Sequence, residues 1–186
     1  MKIIKMTFAV LLMLASITTI AQDKKPMPSP AGSVSTTVGF TDISINYFRP
    51  QMKGRKIFGS GDGYLLQYDK LWRAGANSGT VVTFSDGVKV GGKDLPAGEY
   101  LLLATPGKSN WTVLFYKDKS IGGNMSKVED SNIAAKVTVS PTKLGNTIEV
   151  LTYNITDISK DSKSANIELA WENTSVKIPV VVSLNQ

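Results

Sequence analysis

Hydrophobic and polar residues alternate in short runs along most of this chain. In one such run Ile43, Ile45 and Tyr47 are separated by polar residues, so an extended strand would place all three on one face. Two later runs flank Asp86-Gly87, a dipeptide typical of two-residue β-hairpin turns. The pattern therefore predicts short antiparallel strands joined by tight turns.

Strands at the spacing typical of antiparallel sheets account for nearly all of the regular structure that we predict, about ten in number. They cover residues 34–40, 42–48, 80–84, 88–90, 93–95, 99–105, 111–117, 135–140, 147–155, 164–171 and 176–184. Asn173-Thr174-Ser175 is predicted to connect the last two. Residues 64–72 and 127–136 are weakly helical, without a sustained apolar stripe. We expect one all-β domain over residues 34–186, a single antiparallel β-sandwich or jelly roll, after a flexible lead-in over residues 22–33.

The first 21 residues have the parts of a secretory signal peptide. Lys2 and Lys5 form a charged start, and residues 7–14 form an apolar stretch that is too short to span a bilayer well. Thr19-Ile20-Ala21 fits a cleavage site, which would leave Gln22 at the start of a 165-residue mature chain. We therefore expect an exported protein with no stable membrane span, in the periplasm or at the surface of a bacterium.

The composition excludes several chemistries, because the chain contains neither Cys nor His. Ser-His-Asp and Cys-His nucleophiles and zinc sites built on His and Cys are ruled out, and we expect no cofactor and no metal. The formal charge of +6 falls to +4 without the two lysines of the signal peptide, and both signs are mixed along the chain. Such a balance argues against a nucleic-acid partner. The oligomeric state is left open.

Residues 47–80 concentrate cations among aromatic residues and glycines. Arg49, Arg55 and Arg73 would suit a cluster that grips a carboxylate, sulfate or phosphate, because the guanidinium group binds such anions with two parallel hydrogen bonds. The alternative is structural: each arginine ties loops together through backbone carbonyl groups or pairs with a carboxylate such as Glu99, Asp69 or Asp62. Both interpretations stay open.

Two further residues of this segment are candidates for a binding site. Trp72 lies in an irregular stretch, where an exposed indole would stack on a sugar ring or a cation and a buried one would belong to the core. Asn77 follows Gly75-Ala76, which favours a tight turn with a left-handed backbone, although its side chain can still face a ligand beside Arg73. Residues 59–63 form a glycine-rich loop without the pattern of a phosphate-binding or calcium-binding loop; we expect a flexible loop, with a mobile lid over a pocket as the alternative.

The motifs of this segment resemble those of an exported bacterial family catalogued as domain of unknown function 2911 and common in Bacteroidetes. They are Tyr47-Phe48-Arg49-Pro50, Lys53-Gly54-Arg55, Ile57-Phe58-Gly59, residues 71–77, residues 95–100, Trp111-Thr112-Val113 and, near the end, Trp171-Glu172 and Ile178-Pro179. The resemblance covers nearly the whole mature chain and implies an exported β-protein without an established activity. The chain departs from the family at Phe48, where Ser is usual, and at Ser78, where an acidic residue is usual.

We therefore expect a non-catalytic exported protein that binds a small acidic molecule or a carbohydrate. Arg49, Arg55, Trp72, Arg73 and Asn77 are the predicted contact residues. One alternative is an enzyme that acts on glycans through a pair of carboxylates without histidine. Another is an envelope scaffold whose edge strands pair with a partner chain.

Overall fold

The second strand shows how the alternation builds the sheets. Thr41, Ile43, Ile45 and Tyr47 are buried, and the residues between them are exposed or half-buried. Because neighbouring side chains of a strand point to opposite faces, one face of this strand packs on the core and the other borders solvent. The computed structural model describes residues 25–184. The predicted signal peptide and the first residues of the lead-in lie outside the described residues.

Twelve strands and three short 3₁₀ turns make up the regular structure of residues 25–184. The strands are β1 (Ala31–Val38), β2 (Thr41–Phe48), β3 (Lys56–Gly59), β4 (Tyr64–Gln67), β5 (Thr80–Phe84), β6 (Val88–Val90), β7 (Lys93–Leu95), β8 (Gly98–Thr105), β9 (Trp111–Tyr116), β10 (Ile133–Val139), β11 (Thr142–Thr156) and β12 (Ser164–Val182). The 3₁₀ turns cover Lys119–Ile121, Met125–Lys127 and Asp130–Asn132. No helix of these residues is long and apolar enough to cross a membrane.

Two antiparallel sheets form the domain. The larger has six strands in the order β1-β2-β5-β8-β9-β10, and the smaller has four in the order β11-β12-β6-β7. Buried side chains of both sheets form one continuous core, which is the arrangement of a β-sandwich. The predicted all-β sandwich is confirmed. β3 and β4 form a separate parallel pair, which sequence analysis did not predict.

Aromatic residues occupy the centre of this core. Trp111 and Trp171 are each 1% exposed and belong to it. Phe58 of β3 packs edge-on against both, with ring centroids 4.8 and 6.1 Å away. Trp72 completes the cluster, 6.5 Å from Trp111 and 6.2 Å from Trp171. Edge-to-face packing of this kind adds to the stabilisation from burial alone.

The predicted connection at Asn173-Thr174-Ser175 is wrong. β12 runs from Ser164 to Val182 without interruption, and the irregularity is a bulge at Glu172, whose φ is 56°. The register with β11 shifts there, since Ile148 faces Glu172 whereas Lys143 faces Thr174. The chain therefore absorbs polar residues by a local bend within one long strand.

The two weakly helical segments also differ from expectation. Residues 64–67 form β4, and residues 127–136 hold 3₁₀ turns followed by the start of β10. The first strand begins at Ala31, three residues before the predicted boundary, because its backbone pairs with β2 as far as Phe48. Local preference in these short segments gives way to pairing with neighbouring strands.

Candidate functional site

The loop before β3 forms a tight turn that presents two cations. Lys53 and Gly54 have φ values of 49° and 73°, and the Arg55 N–H donates to the Met52 carbonyl oxygen at 3.1 Å. Two positive φ values in succession are typical of a type I′ turn. The turn is fixed to β11, because the Lys53 N–H donates to Oε1 of Glu149 at 2.9 Å. The Lys53 side chain is exposed.

Arg55 is partly used by its own loop. Its Nε donates to the Met52 carbonyl oxygen at 2.8 Å, and its NH2 group donates to the Gln51 carbonyl oxygen at 2.6 Å. These bonds hold the plane of the guanidinium in one orientation. The residue nevertheless remains exposed and keeps its full charge.

The segment after β4 forms the opposite wall. The backbone of Trp72 exchanges two hydrogen bonds with Ala104 of β8, at 2.7 and 2.8 Å, and its indole Nε1 donates to the Gly75 carbonyl oxygen at 2.9 Å. Trp72 is only 8% exposed. It is therefore a core residue whose ring edge forms part of a surface, and its face is not free for stacking.

Two buried hydroxyl groups fix the left-handed backbone of this segment at Ala74. Ala74 has a φ of 48°, and its carbonyl oxygen accepts from the Thr80 hydroxyl at 2.8 Å and the Tyr153 hydroxyl at 2.7 Å. Burial raises the pKa of Tyr153 far above its ordinary value, so the hydroxyl stays protonated and keeps donating. These two hydrogen bonds fix the backbone of the loop that carries Arg73.

The side chain of Arg73 contacts two neighbours, Asn77 and Gly123. Its NH1 donates to the Asn77 carbonyl oxygen at 2.7 Å. Its guanidinium also lies against Gly123, where an added Cβ would come within 2.2 Å of NH1. Asn77 has a φ of 51°, which confirms its predicted turn role, and its Nδ2 donates to the Ser29 carbonyl oxygen at 3.3 Å. Arg73 is therefore oriented before any ligand arrives.

These two walls enclose a cleft of about 450 Å³, which we call the Arg73 cleft. Its cationic side chains are Lys53, Arg55 and Arg73, and none of its lining residues is acidic. Its floor is formed by Trp72 and Trp171, whose rings are stacked with an interplanar angle of 25°. It is lined by Pro28, Ser29, Pro50, Gln51, Lys53, Arg55, Leu65, Leu66, Trp72, Arg73, Gly75, Ala76, Asn77 and Trp171.

Four of the five predicted contact residues meet in this cleft: Arg55, Trp72, Arg73 and Asn77. Arg49 does not line it. The Arg49 backbone N–H donates to the Pro30 carbonyl oxygen at 2.8 Å, and its side chain lies across Gly32, where an added Cβ would be 2.8 Å from its Cδ. Its Nε is buried without a hydrogen-bond partner among the described residues. Arg49 therefore packs against the start of β1 and does not join the other four in lining the cleft.

The structure also decides between two structural uses of arginine. Within residues 25–184 no arginine lies within 4.0 Å of a carboxylate, so the pairing with Glu99, Asp69 or Asp62 is wrong; Glu99 pairs with Lys119 instead. Bonds to backbone carbonyl groups do occur, from Arg55 and from Arg73. Whether the cleft takes a ligand stays a prediction.

Sequence reasoning did not select Lys53, Leu65 or Leu66, which also line the cleft. The sequence signal for Lys53 is the dipeptide Lys53-Gly54, because the glycine favours a turn with positive φ. The leucines belong to β4, whose place over the cleft depends on pairing with β3 rather than on any local pattern.

The carboxylates near the cleft accept hydrogen bonds from backbone N–H groups. Glu172 accepts from the N–H groups of Ile57 and Phe58 at 3.1 and 3.4 Å, and Glu149 accepts from Lys53. No group of three or more acidic side chains in the described part of the chain lies close enough to hold a metal ion. The Arg73 cleft offers cations, amide groups and apolar walls, which suit binding of an anion.

Comparison with known proteins gives one match. A family model described as Protein of unknown function (DUF2911) matches residues 29–180, a span that contains every residue lining the cleft except Pro28. No curated protein and no solved structure matches the chain. The match extends over most of the chain, and the protein belongs to the DUF2911 family of proteins of unknown function.

Proposed function

We propose that this protein binds a small anionic molecule in the Arg73 cleft. The observation that carries the proposal is the charge of the lining: three cationic side chains and no acidic one in a cleft of about 450 Å³. Clustered cations repel one another, and an anion between them relieves that repulsion. A carboxylate, sulfate or phosphate group is the chemistry that this lining favours.

The fixed position of Arg73 supports the same proposal. A guanidinium that is already oriented loses little side-chain entropy when it binds, so more of its interaction energy appears as affinity. Its NH1 is used by Asn77, and the group still has further N–H donors for a ligand.

A neutral carbohydrate is the weaker candidate. Stacking on a sugar requires an open indole face, whereas Trp72 and Trp171 are 8% and 1% exposed and pack against each other. An acidic sugar remains within the proposed class, because its carboxylate would meet the cations. The glycan enzyme and the envelope scaffold have no comparable observation in their favour.

A thermal unfolding series of the purified protein tests this function. The wild type, Arg73→Gln and Lys53→Gln are compared with Lys136→Gln, which removes the same charge from an exposed position on β10 outside the cleft. Each is titrated with acetate, octanoate, sulfate, phosphate and glucose. A ligand at about 100 times its dissociation constant stabilises the native state by roughly 2.7 kcal/mol, which is a readable shift in the midpoint.

We expect at least one anion to raise the midpoint of the wild type and of Lys136→Gln, and to act weakly on both cleft variants. A shift that glucose produces equally in all four proteins would contradict an anion site. Absence of a shift with every anion would contradict it as well. Lys53→Gln guards against misfolding of Arg73→Gln, because the Lys53 side chain makes no hydrogen bond or ion pair within the described residues.

We infer that the protein is an exported bacterial protein. The charged start, apolar stretch and small-x-small site of residues 1–21 support this. Intact-mass measurement of the protein purified from cell envelopes or medium tests it. The expected mass is that of a chain beginning at Gln22, and a full-length chain retained inside the cell would contradict export.

A further inference from the structure

The Arg73 cleft has a neighbour with which it shares its walls. A second cleft of about 370 Å³, which we call the Lys70 cleft, is lined in part by Tyr64, Lys70 and Met125. Leu65, Leu66, Trp72 and Arg73 line both clefts. Because the two clefts share these four residues, they adjoin, and we refer to them together as the groove.

Each end of this groove carries a cation of its own. Lys53 and Arg55 lie at the Arg73 end, and Lys70 lies at the other. The Lys70 side chain is exposed and makes no hydrogen bond or ion pair within residues 25–184. None of the residues that line the Lys70 cleft is acidic. The positive potential therefore extends along the whole groove.

The stretch between these charged ends is apolar. Leu65 is 42% exposed, which is unusual in this domain, and it lies on the shared wall. Leu66, Leu71 and Met125 add further apolar surface on the Lys70 side. An exposed leucine on a wall between two cationic ends gains free energy only if apolar surface covers it.

We propose that the ligand of this protein is an elongated dianion whose two anionic groups are joined by an apolar spacer. This rests on the proposed function, and it adds that one anionic group binds near Lys53 and Arg55 while the other binds near Lys70. The spacer lies across Leu65 and Leu66, beside Arg73, which lines both clefts. A ligand held at both ends binds more tightly than either half, because the second contact becomes intramolecular.

Calorimetric titration with α,ω-dicarboxylates of increasing length, from butanedioate to dodecanedioate, tests the proposal. Octanoate serves as the matched monoanion, with one carboxylate and a comparable chain. We expect one dicarboxylate length to bind at least about 10-fold more tightly than octanoate, with weaker binding of shorter and longer members. The chain length at the optimum measures the separation of the two sites.

Two variants separate this inference from the function on which it rests. Lys70→Gln is expected to weaken the best dicarboxylate by about 10-fold, the value of one charge-assisted contact, and to leave octanoate binding unchanged. Lys53→Gln is expected to weaken both probes, and Lys136→Gln neither. Equal effects of Lys70→Gln and Lys136→Gln at every chain length would overturn the dianion and leave the single-anion function intact. Failure of all the carboxylates to bind would overturn the dianion, and failure of sulfate and phosphate as well would overturn the single-anion function.

Discussion

The cations of the groove differ from the paired lysines elsewhere on the surface. Lys89 pairs with Asp94 at 2.5 Å and Lys177 pairs with Asp157 at 2.7 Å. Along the groove, Lys53 and Lys70 have no acidic partner within the described residues. Some surface lysines are thus neutralised by a neighbouring carboxylate, whereas the lysines of the groove are not.

This difference shows that the distribution of charge is more informative than its sum. A net charge of +6 in a chain of 186 residues is unremarkable and excludes little. Folding, however, places acidic side chains beside some surface lysines, whereas no acidic residue lines either cleft of the groove. Four experiments test this contrast, from the largest expected effect to the smallest.

The largest expected effect is on the free energy of unfolding. It distinguishes a residue that forms the wall of the groove from one of its cations. Trp72→Ala removes a ring that packs against Phe58, Trp111 and Trp171, and it should cost about 3–5 kcal/mol of unfolding free energy, as large-to-small core substitutions do. Urea denaturation measures it. Lys53→Gln is the control and should stay within about 0.5 kcal/mol of the wild type. A Trp72→Ala cost below about 1 kcal/mol would show that the wall is not part of the core.

A smaller effect tests the orientation of Arg73 without removing a charge. The Cβ of Gly123→Ala would lie 2.2 Å from the Arg73 NH1 and 2.8 Å from the Asn77 carbonyl oxygen, so the loop must shift. We expect a loss of about 1–3 kcal/mol in stability, typical of overpacking, together with weaker anion binding. Gly145→Ala is the matched control, because nothing lies within 4 Å of its added Cβ. Unchanged anion affinity in Gly123→Ala would contradict the role given to the oriented guanidinium.

A change in ionic strength is expected to have a smaller effect, on anion binding, and this effect differs between the unpaired and the paired cations. Raising the salt concentration from about 0.02 to 0.5 M shortens the screening length to a few ångströms, so binding of octanoate to the wild type should weaken about 10-fold. The dependence on salt should be shallower in Lys53→Gln, which has one cation fewer in the cleft. In Lys177→Gln it should match the wild type, because that lysine lies outside both clefts. Parallel salt dependences in all three proteins would remove the distinction.

The sandwich could be predicted because its evidence is local. The alternation in β2 and the largely apolar run of β9 each report which faces are covered, and Trp111 and Trp171 lie within predicted strands. The break predicted at Asn173 fails for an equally physical reason. A bulge at Glu172 keeps β12 continuous, since the Glu172 carboxylate accepts hydrogen bonds from two N–H groups of β3. One of the two donors, Ile57, lies 115 residues away from Glu172 in the sequence.

The site could be predicted only in part. Arg55, Trp72, Arg73 and Asn77 converge because one short loop and one turn carry them, and their residue types indicated such a role. Arg49 follows directly after β2 and is directed across Gly32, which depends on the pairing of β1. Leu65 and Lys70 join the groove only through the packing of β4 and the loop after it, and no local pattern indicates that.

The smallest effect concerns the pH dependence of the paired surface. The Lys177 ammonium, and then the Asn166 amide, donate hydrogen bonds to Asp157 and hold the pKa of that carboxyl below its ordinary value. A carboxyl with a depressed pKa in the folded state stabilises the protein above its unfolded pKa of about 3.9, and this contribution is lost as the pH falls through the folded pKa. The unfolding midpoint in urea, measured from neutral pH into acid, follows that loss.

We therefore expect the wild type to exceed Asp157→Asn in stability at neutral pH and to lose that advantage below about pH 4. Lys53→Gln should follow the wild type throughout the acid range, because its ammonium group has no carboxylate partner within the described residues. A constant difference between the wild type and Asp157→Asn at every pH would mean that the pair contributes no titrating charge. If Lys53→Gln instead changed the acid dependence, that lysine would have an acidic partner in solution, and the contrast between the groove and the paired surface lysines would fail.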